Sequence, residues 1–193
     1  VTEHTPKIFR VLSLNNLEAE WLPNQSLLIP ITIVQEVEIF DRYIQAGLDN
    51  LYPIYSSDLI KKVGENNLFI PEQQTLESND VVAIDPYKKS LSVLLRDSDT
   101  HHTLFLTNRC NNYCIMCSQP PTKHDDSWLV KQALEIIDHL SYEPMNIGLT
   151  GGEPLLLDKQ LRLIIDTIHN KFPSTKIDVL TNGRLFSTPK IAE

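Results

Sequence analysis

From residue 103 to residue 181 short apolar runs alternate with amphipathic stretches, and few architectures accept that order. Thr103-Leu104-Phe105-Leu106-Thr107 reads as a short buried strand. Ser127 can cap a helix in which Leu129, Ala133, Ile136, Ile137 and Leu140 share one face. Asn146-Ile147-Gly148-Leu149-Thr150 is a second strand. Asp158 can cap a second helix with Leu161, Ile164, Ile165, Ile168 and Phe172 on one face, stopped by Pro173. Lys176-Ile177-Asp178-Val179-Leu180-Thr181 is a third strand. Strands that alternate with helices form a parallel sheet, because a parallel pair needs a long crossover and a helix supplies it. Ligands of such sheets gather beyond the C-terminal ends of the strands.

All the unusual chemistry of the chain falls at that edge. After the first strand comes Cys110-Asn111-Asn112-Tyr113-Cys114-Ile115-Met116-Cys117, which holds the chain's 3 cysteines. After the second comes Gly151-Gly152-Glu153-Pro154, and after the third Asn182-Gly183-Arg184. The C-x3-C-x2-C spacing brings three thiolates onto one loop and no fourth. Three thiolates can hold three irons of a four-iron, four-sulfur cluster and leave one iron open, whereas an electron carrier closes all four with cysteine. A structural zinc completed by His101, His102 or His124 is the rival, since zinc takes four ligands at similar spacing. A second cysteine knuckle, usual in such zinc sites, is missing.

The glycine pair permits positive φ and close approach of backbone to a ligand, and Pro154 suits a helix start. Carbonyls of this turn and Glu153 can accept hydrogen bonds from a bound ammonium group. The same residues also suit a plain strand-to-helix turn. Asn182-Gly183 reads equally as a turn dipeptide or a ligand contact. Met116 reads either as packing or as the lining of a ligand pocket. His101 and His102 precede the first strand and read as surface residues.

The other half has a different texture. Residues 1 to about 100 are rich in β-branched and apolar runs. They include Ile8 to Leu12 and Leu27 to Val34, the latter placed at a sheet edge or bulge by Pro30. Asp41 to Leu51 reads as a short helix, and Gly47 argues against a long one. Val81 to Asp85 and Ser90 to Arg96, joined by Pro86-Tyr87-Lys88-Lys89, read as a β-hairpin.

A formal net charge of -8, with no basic block, argues against a nucleic-acid or membrane-surface binder. No apolar run approaches the ~20 residues that span a bilayer. Val1-Thr2-Glu3-His4 lacks the layout of a signal peptide. A clustered, odd set of cysteines disfavours a disulfide framework and points to a reducing cytoplasm.

Cys110-x3-Cys114-x2-Cys117, Thr150 to Pro154 and Thr181-Asn182-Gly183 together resemble the first three β-α units of the radical S-adenosylmethionine superfamily. The resemblance implies that Cys110, Cys114 and Cys117 hold a 4Fe-4S cluster whose fourth iron is chelated by S-adenosylmethionine. It places Gly151, Gly152, Glu153 and Pro154 against the methionine amino group, and Met116 and Asn182 among the cofactor contacts. It implies reductive cleavage to a 5′-deoxyadenosyl radical that abstracts a substrate hydrogen, an oxidoreductase chemistry with no catalytic side chain beyond the cluster site. The fold implied is the N-terminal half of a (β/α)6 TIM-like barrel, residues 101–193, preceded by a β-rich region, residues 1–100, with a peptide-recognition or accessory role.

The longer string Cys110 to Pro121, with Asp80 to Pro86 and Leu180 to Arg184, is similar to the C-type radical maturase of the His-Xaa-Ser repeat peptide system. That likeness implies a ribosomal precursor peptide with His-Xaa-Ser repeats as substrate. It also implies a second radical enzyme and a small protein as partners, and an external electron donor. Many superfamily members carry an aromatic residue where this chain has Met116. About three of six β-α units are present and the chain lacks an initiator Met, so it reads as a portion of a longer protein or a truncated product. In the latter case it would be an inactive iron–sulfur or zinc interaction module.

Overall fold

The computed structural model describes residues 6–59, 75–85, 87–88 and 90–187. Val1 to His4, Pro86 and Lys89, which entered the reading above, lie outside the described residues. The chain divides into two compact units, Val1–Ser98 with Asp138–Tyr142, and Asp99–Ile137 with Glu143–Glu193.

The first unit is built on β1 (Lys7–Val11), β2 (Leu27–Ile31), β3 (Leu51–Tyr55), β4 (Val81–Asp85) and β5 (Ser90–Leu95). They form one sheet in the order β3-β2-β1-β4-β5. β1 pairs with β2, and β2 with β3, in parallel. β4 pairs antiparallel with β1 and with β5, so the predicted hairpin forms. The strand-rich reading of this half therefore needs extending, because its parallel pairs are joined by helical connections. The first connection includes one turn, α1 (Leu17–Glu20), and the second is α2 (Val34–Gln45).

β2 explains why an unbroken apolar run is a strand here. Side chains alternate between faces with period two. Leu27, Ile29 and Ile31 enter one core with Leu12, Leu17, Phe40, Leu51 and Tyr55. Leu28 enters a second core with Phe9, Val11, Ile54, Val82 and Ile84. Both faces are covered, so neither can be polar.

Pro30 is not on an edge strand as expected. β2 lies between β1 and β3, but its pairing with β1 involves only Leu27 and Leu28. Pro30 lies beyond that ladder and pairs only toward β3, opposite Ile54, so its missing N–H breaks no bond to β1.

The helix predicted over 41–51 runs instead over Val34–Gln45. Its start is set by Glu36, whose carboxylate accepts from the N–H groups of Thr32 (2.7 Å) and Ile33 (3.2 Å) and from the Thr32 hydroxyl. Its end is set by Gly47 at φ +91°, where the amides of Gly47 and Leu48 donate back to the carbonyls of Ile44 and Tyr43. Leu51 begins β3.

The second unit carries β6 (His101–Phe105), β7 (Asn146–Thr150) and β8 (Lys176–Val179), all parallel and in the order β6-β7-β8. α3 (Ser127–His139) joins the first pair and α4 (Lys159–Lys171) the second. Right-handed crossovers between strands in sequential order put both helices on one face. The apolar stripes are buried as predicted at Leu129, Ala133, Ile136, Ile137, Leu140, Leu161, Ile164, Ile168 and Phe172, while Ile165 is half-buried. The fold is mixed α/β with parallel strands. A closed barrel is not seen among the described residues.

Three local expectations change. β6 begins at His101, two residues early, and its alternation turns His102 inward to 2% exposure, so His102 is not a surface residue. Ser127 is the first helical residue of α3 rather than its cap, and its N–H donates to Asp125 Oδ1 (3.0 Å). Those hydrogen bonds from Ser127 hold the Asp125 carboxyl below its ordinary value. Asp158 makes no side-chain cap, and its backbone turns at φ 44° between a 3-10 turn (Pro154–Leu157) and α4. Among the described residues no helix is long and apolar enough to cross a membrane.

The two-faced burial of β2 is testable by denaturant unfolding. Leu28→Ala and Ile29→Ala each lose about 2–5 kcal/mol, although their side chains point opposite ways. A loss below about 1 kcal/mol for either would mean that one face of the sheet is open to solvent.

Candidate functional site

Each strand of the second unit hands its chain to a loop at the same sheet edge. The ladder runs one residue past β6 and β8, with Leu106 N–H donating to Thr150 O (2.8 Å) and Leu180 N–H to Leu149 O (2.9 Å). Beyond that point the loops bond to one another.

The loop after β7 lies directly on the stem of the cysteine loop. Gly152 N–H donates to Thr107 O (2.7 Å), and Glu153 N–H to Arg109 O (2.9 Å). This closeness explains both glycines. Gly151 has φ +142°, and a Cβ there would overlap the Thr107 carbonyl and amide. A Cβ on Gly152 would overlap the Arg109 carbonyl. The close approach these glycines permit in the structure is therefore to backbone of the neighbouring loop.

Glu153 ties the same turn to the loop after β8. Its side chain has no solvent exposure. Oε1 accepts from Leu155 N–H (3.0 Å) and from the Thr181 hydroxyl (2.7 Å). Oε2 accepts from Asn182 N–H (2.8 Å). A buried carboxylate is tolerated where its oxygens are hydrogen-bonded, and three donors meet that need.

Asn182 continues the chain of contacts to the cysteine loop. Its Nδ2 donates to Asn111 Oδ1 (2.8 Å) and lies 3.8 Å from Cys110 Sγ. Arg184 Nη1 donates to Asn111 O (3.1 Å), and Arg184 N–H to Asn182 Oδ1 (3.0 Å). Gly183, at φ +73°, completes the turn with its N–H on Thr181 Oγ1. Asn182-Gly183 is thus a turn whose asparagine side chain reaches across to the cysteine loop.

The cysteines sit at the outer part of this assembly. Cys110 is half-buried, and Cys114 and Cys117 are exposed; all three are free thiols. A tight turn joins the last two, Cys117 N–H to Cys114 O (3.0 Å). Asn112 Nδ2 donates to Cys114 Sγ (3.3 Å), and Cys117 Sγ to Gln119 O (2.9 Å). Met116 is 92% exposed, beside exposed Tyr113 and Ile115, so the tip of the loop presents apolar surface.

Among the described residues no group of three or more His, Cys, Asp or Glu side chains is placed to hold a single metal ion. A four-iron cluster does not require three sulfurs to meet at one ion, since each thiolate binds a different iron. Three thiols on one exposed loop, with no histidine or carboxylate among them, match the donor chemistry of such a cluster. Cys110, Cys114 and Cys117 are the residues that would hold it.

Several residues of this site are silent in the sequence. Asp126 is buried and receives Thr107, Asn108 and Arg109. Standing before a helix start, it reads in sequence as an ordinary acidic residue near a cap. Thr181 and Asn111, which carry cross-loop bonds, stand inside the third-strand and cysteine runs, where their own roles do not show.

Residues 104–193 match the family model of the Radical SAM superfamily. An uncharacterized protein of Methanocaldococcus jannaschii is 34% identical over 101 residues, which are 50% of this chain and 35% of that relative. The chain thus spans about a third of the length of the curated relative it matches. No solved structure matches the chain. The match to the family model supports the radical SAM superfamily, which implies S-adenosylmethionine and a 4Fe-4S cluster.

The packing argument for the glycine pair predicts a contrast between neighbours. Gly152→Ala lowers stability in denaturant by about 1–3 kcal/mol, because the methyl group must displace backbone. Gly148→Ala in β7, where a Cβ would meet only ordinary contacts at 3.6 Å, changes it by less than about 1 kcal/mol. Equal effects at the two positions would show that the loop contact is not tight.

Proposed function

We propose that this chain carries the cluster- and S-adenosylmethionine-binding part of a radical enzyme that modifies a ribosomal peptide with His-Xaa-Ser repeats. One observation carries the reading. The cysteine run, the Gly-Gly-Glu-Pro turn and the Asn-Gly turn meet at the C-terminal edge of a single parallel sheet. Ligands of such sheets collect at that edge. The peptide substrate rests on the likeness of Cys110 to Pro121 and its flanking strings to the His-Xaa-Ser maturases, and a second radical enzyme and a small protein are its proposed partners.

When bound, the cluster supplies one electron to the sulfonium of S-adenosylmethionine, and the cofactors carry the difficult chemistry. The residues of this chain bind, orient and exclude. Cys110, Cys114 and Cys117 provide three thiolates and leave one iron for a ligand. Glu153 spends both oxygens on Leu155, Thr181 and Asn182. An ammonium group brought to the turn of Gly151 to Pro154 therefore meets main-chain carbonyls before it meets that carboxylate. Asn182 reaches the cysteine loop through Asn111, and Met116 stands within that loop, exposed and free of packing. The exposure of Cys114 and Cys117 gives an external electron donor access to their side of the site.

Anaerobic reconstitution followed by metal and sulfide analysis tests the proposal. The chain takes up about four iron and four sulfide, and Cys114→Ala abolishes this. One zinc per chain, with no iron–sulfur absorbance, would replace the enzyme reading with that of a metal-holding interaction module. For the substrate, a His-Xaa-Ser repeat peptide binds at least tenfold more tightly than a scrambled one. Equal affinity removes the peptide assignment and leaves the cofactor assignment standing.

A further inference from the structure

Asp126 lies outside every motif in the sequence, yet its carboxylate accepts from three donors at the stem of the cysteine loop, as many as Glu153 accepts. Asp126 is 3% exposed. Although it precedes α3, its side chain does not cap that helix. Only its main-chain carbonyl serves α3, accepting from Leu129 N–H (2.9 Å), and the Ser127 N–H goes to Asp125. The Asp126 carboxylate turns instead to three consecutive residues, the three that lie just before Cys110. Oδ2 accepts from the Thr107 hydroxyl (2.7 Å) and from Asn108 N–H (2.6 Å). Oδ1 accepts from Arg109 Nε (3.1 Å). Thr107 Oγ1 in turn accepts from Arg109 N–H (3.0 Å).

The consequence is topological. The chain leaves the sheet ladder after Leu106, carries the cysteines outward and returns to α3 at Ser127. Asp126 stands at the return point and binds the departure point, so it closes the loop at its base. A second tie, Thr122 N–H to Asn108 O (3.1 Å), lies just inside it. Between these ties, residues 110–121 make few backbone bonds of their own, Cys117 N–H to Cys114 O being one. The direction of the Cys110 stem is thus set by Asp126 on one side and by the Gly151-Gly152 turn on the other. A charged acceptor shared by three donors is a strong and directional tie.

We propose that Asp126 is a positioning residue for the cysteine loop: its carboxylate is engaged by Thr107, Asn108 and Arg109, and through them it fixes where Cys110 stands relative to the other two thiols. This rests on the reading of the loop as the holder of an iron–sulfur cluster, but the clamp itself is testable without iron.

Hydrogen exchange on the full iron-free chain is the first arm. Asp126→Ala speeds exchange of the amides in 108–122 at least tenfold and leaves β7 and α4 unchanged. Asp126→Asn keeps one oxygen for Asn108 N–H and loses the charge facing Arg109, so its effect is smaller and confined to the same segment. Should the alanine variant exchange faster throughout its unit, the asparagine variant decides, and a rise limited to 108–122 supports the assignment. Unchanged exchange in 108–122 for both variants overturns it. The second arm measures iron loss from reconstituted protein under a chelator. Asp126→Ala loses iron at least tenfold faster than the parent chain, with Asp126→Asn between them. Iron retained equally by all three overturns the link to the cluster. A parent chain that takes no iron, while the exchange response is present, removes the cluster reading and leaves Asp126 as the clamp of this loop.

Discussion

A carboxylate without solvent exposure must find donors inside the protein, and Glu153 finds them on its own turn and on the loop after β8. Its main-chain N–H meanwhile donates to Arg109 on the cysteine loop. A single residue therefore joins all three loops at the C-terminal edge of the sheet. The rest of the site depends on that junction. Gly151 and Gly152 must lack side chains for the turn to reach Thr107 and Arg109. Asn182 can reach Asn111 because its own backbone is held by Glu153. The acidic residue of the Gly-Gly-Glu-Pro turn thus has a structural task in this chain that is independent of any ligand.

The first unit obeys a different constraint. Strand β2 is covered on both faces, so its sequence is continuously apolar and it is committed to packing. Ion pairs such as Arg10 with Glu20 and Arg96 with Asp80, and hydrogen bonds such as Trp21 to Asn50, link loops and strand ends of the unit. Neither pair resembles the loop chemistry of the second unit.

The sequence was most readable where a period or a rare residue type carried the signal. The stripes of α3 and α4, the hairpin of β4 and β5 and the gathering of three motifs at one edge were all legible from spacing. Element ends were less so. His102 belongs to a strand because β6 starts two residues early, and nothing local to a His-His pair announces that. The start of α2 is fixed by Glu36 reaching back to Thr32 and Ile33, in a stretch whose β-branched residues favour a strand. Pro30 is admitted inside a sheet because its neighbour's ladder stops short, a fact of register that no single strand encodes. Asp126 was silent for the same reason: its partners are 17 to 19 residues away, and only the closed loop brings them together.

The central claim is that three thiolates on this loop leave one cluster iron free for S-adenosylmethionine. Electron paramagnetic resonance of the reduced, reconstituted chain, recorded with and without S-adenosylmethionine, tests it most directly. The account predicts a four-iron cluster signal whose line shape changes on addition of the ligand and stays changed at saturation. A signal indifferent to S-adenosylmethionine, from a chain shown to carry the full cluster, would contradict it.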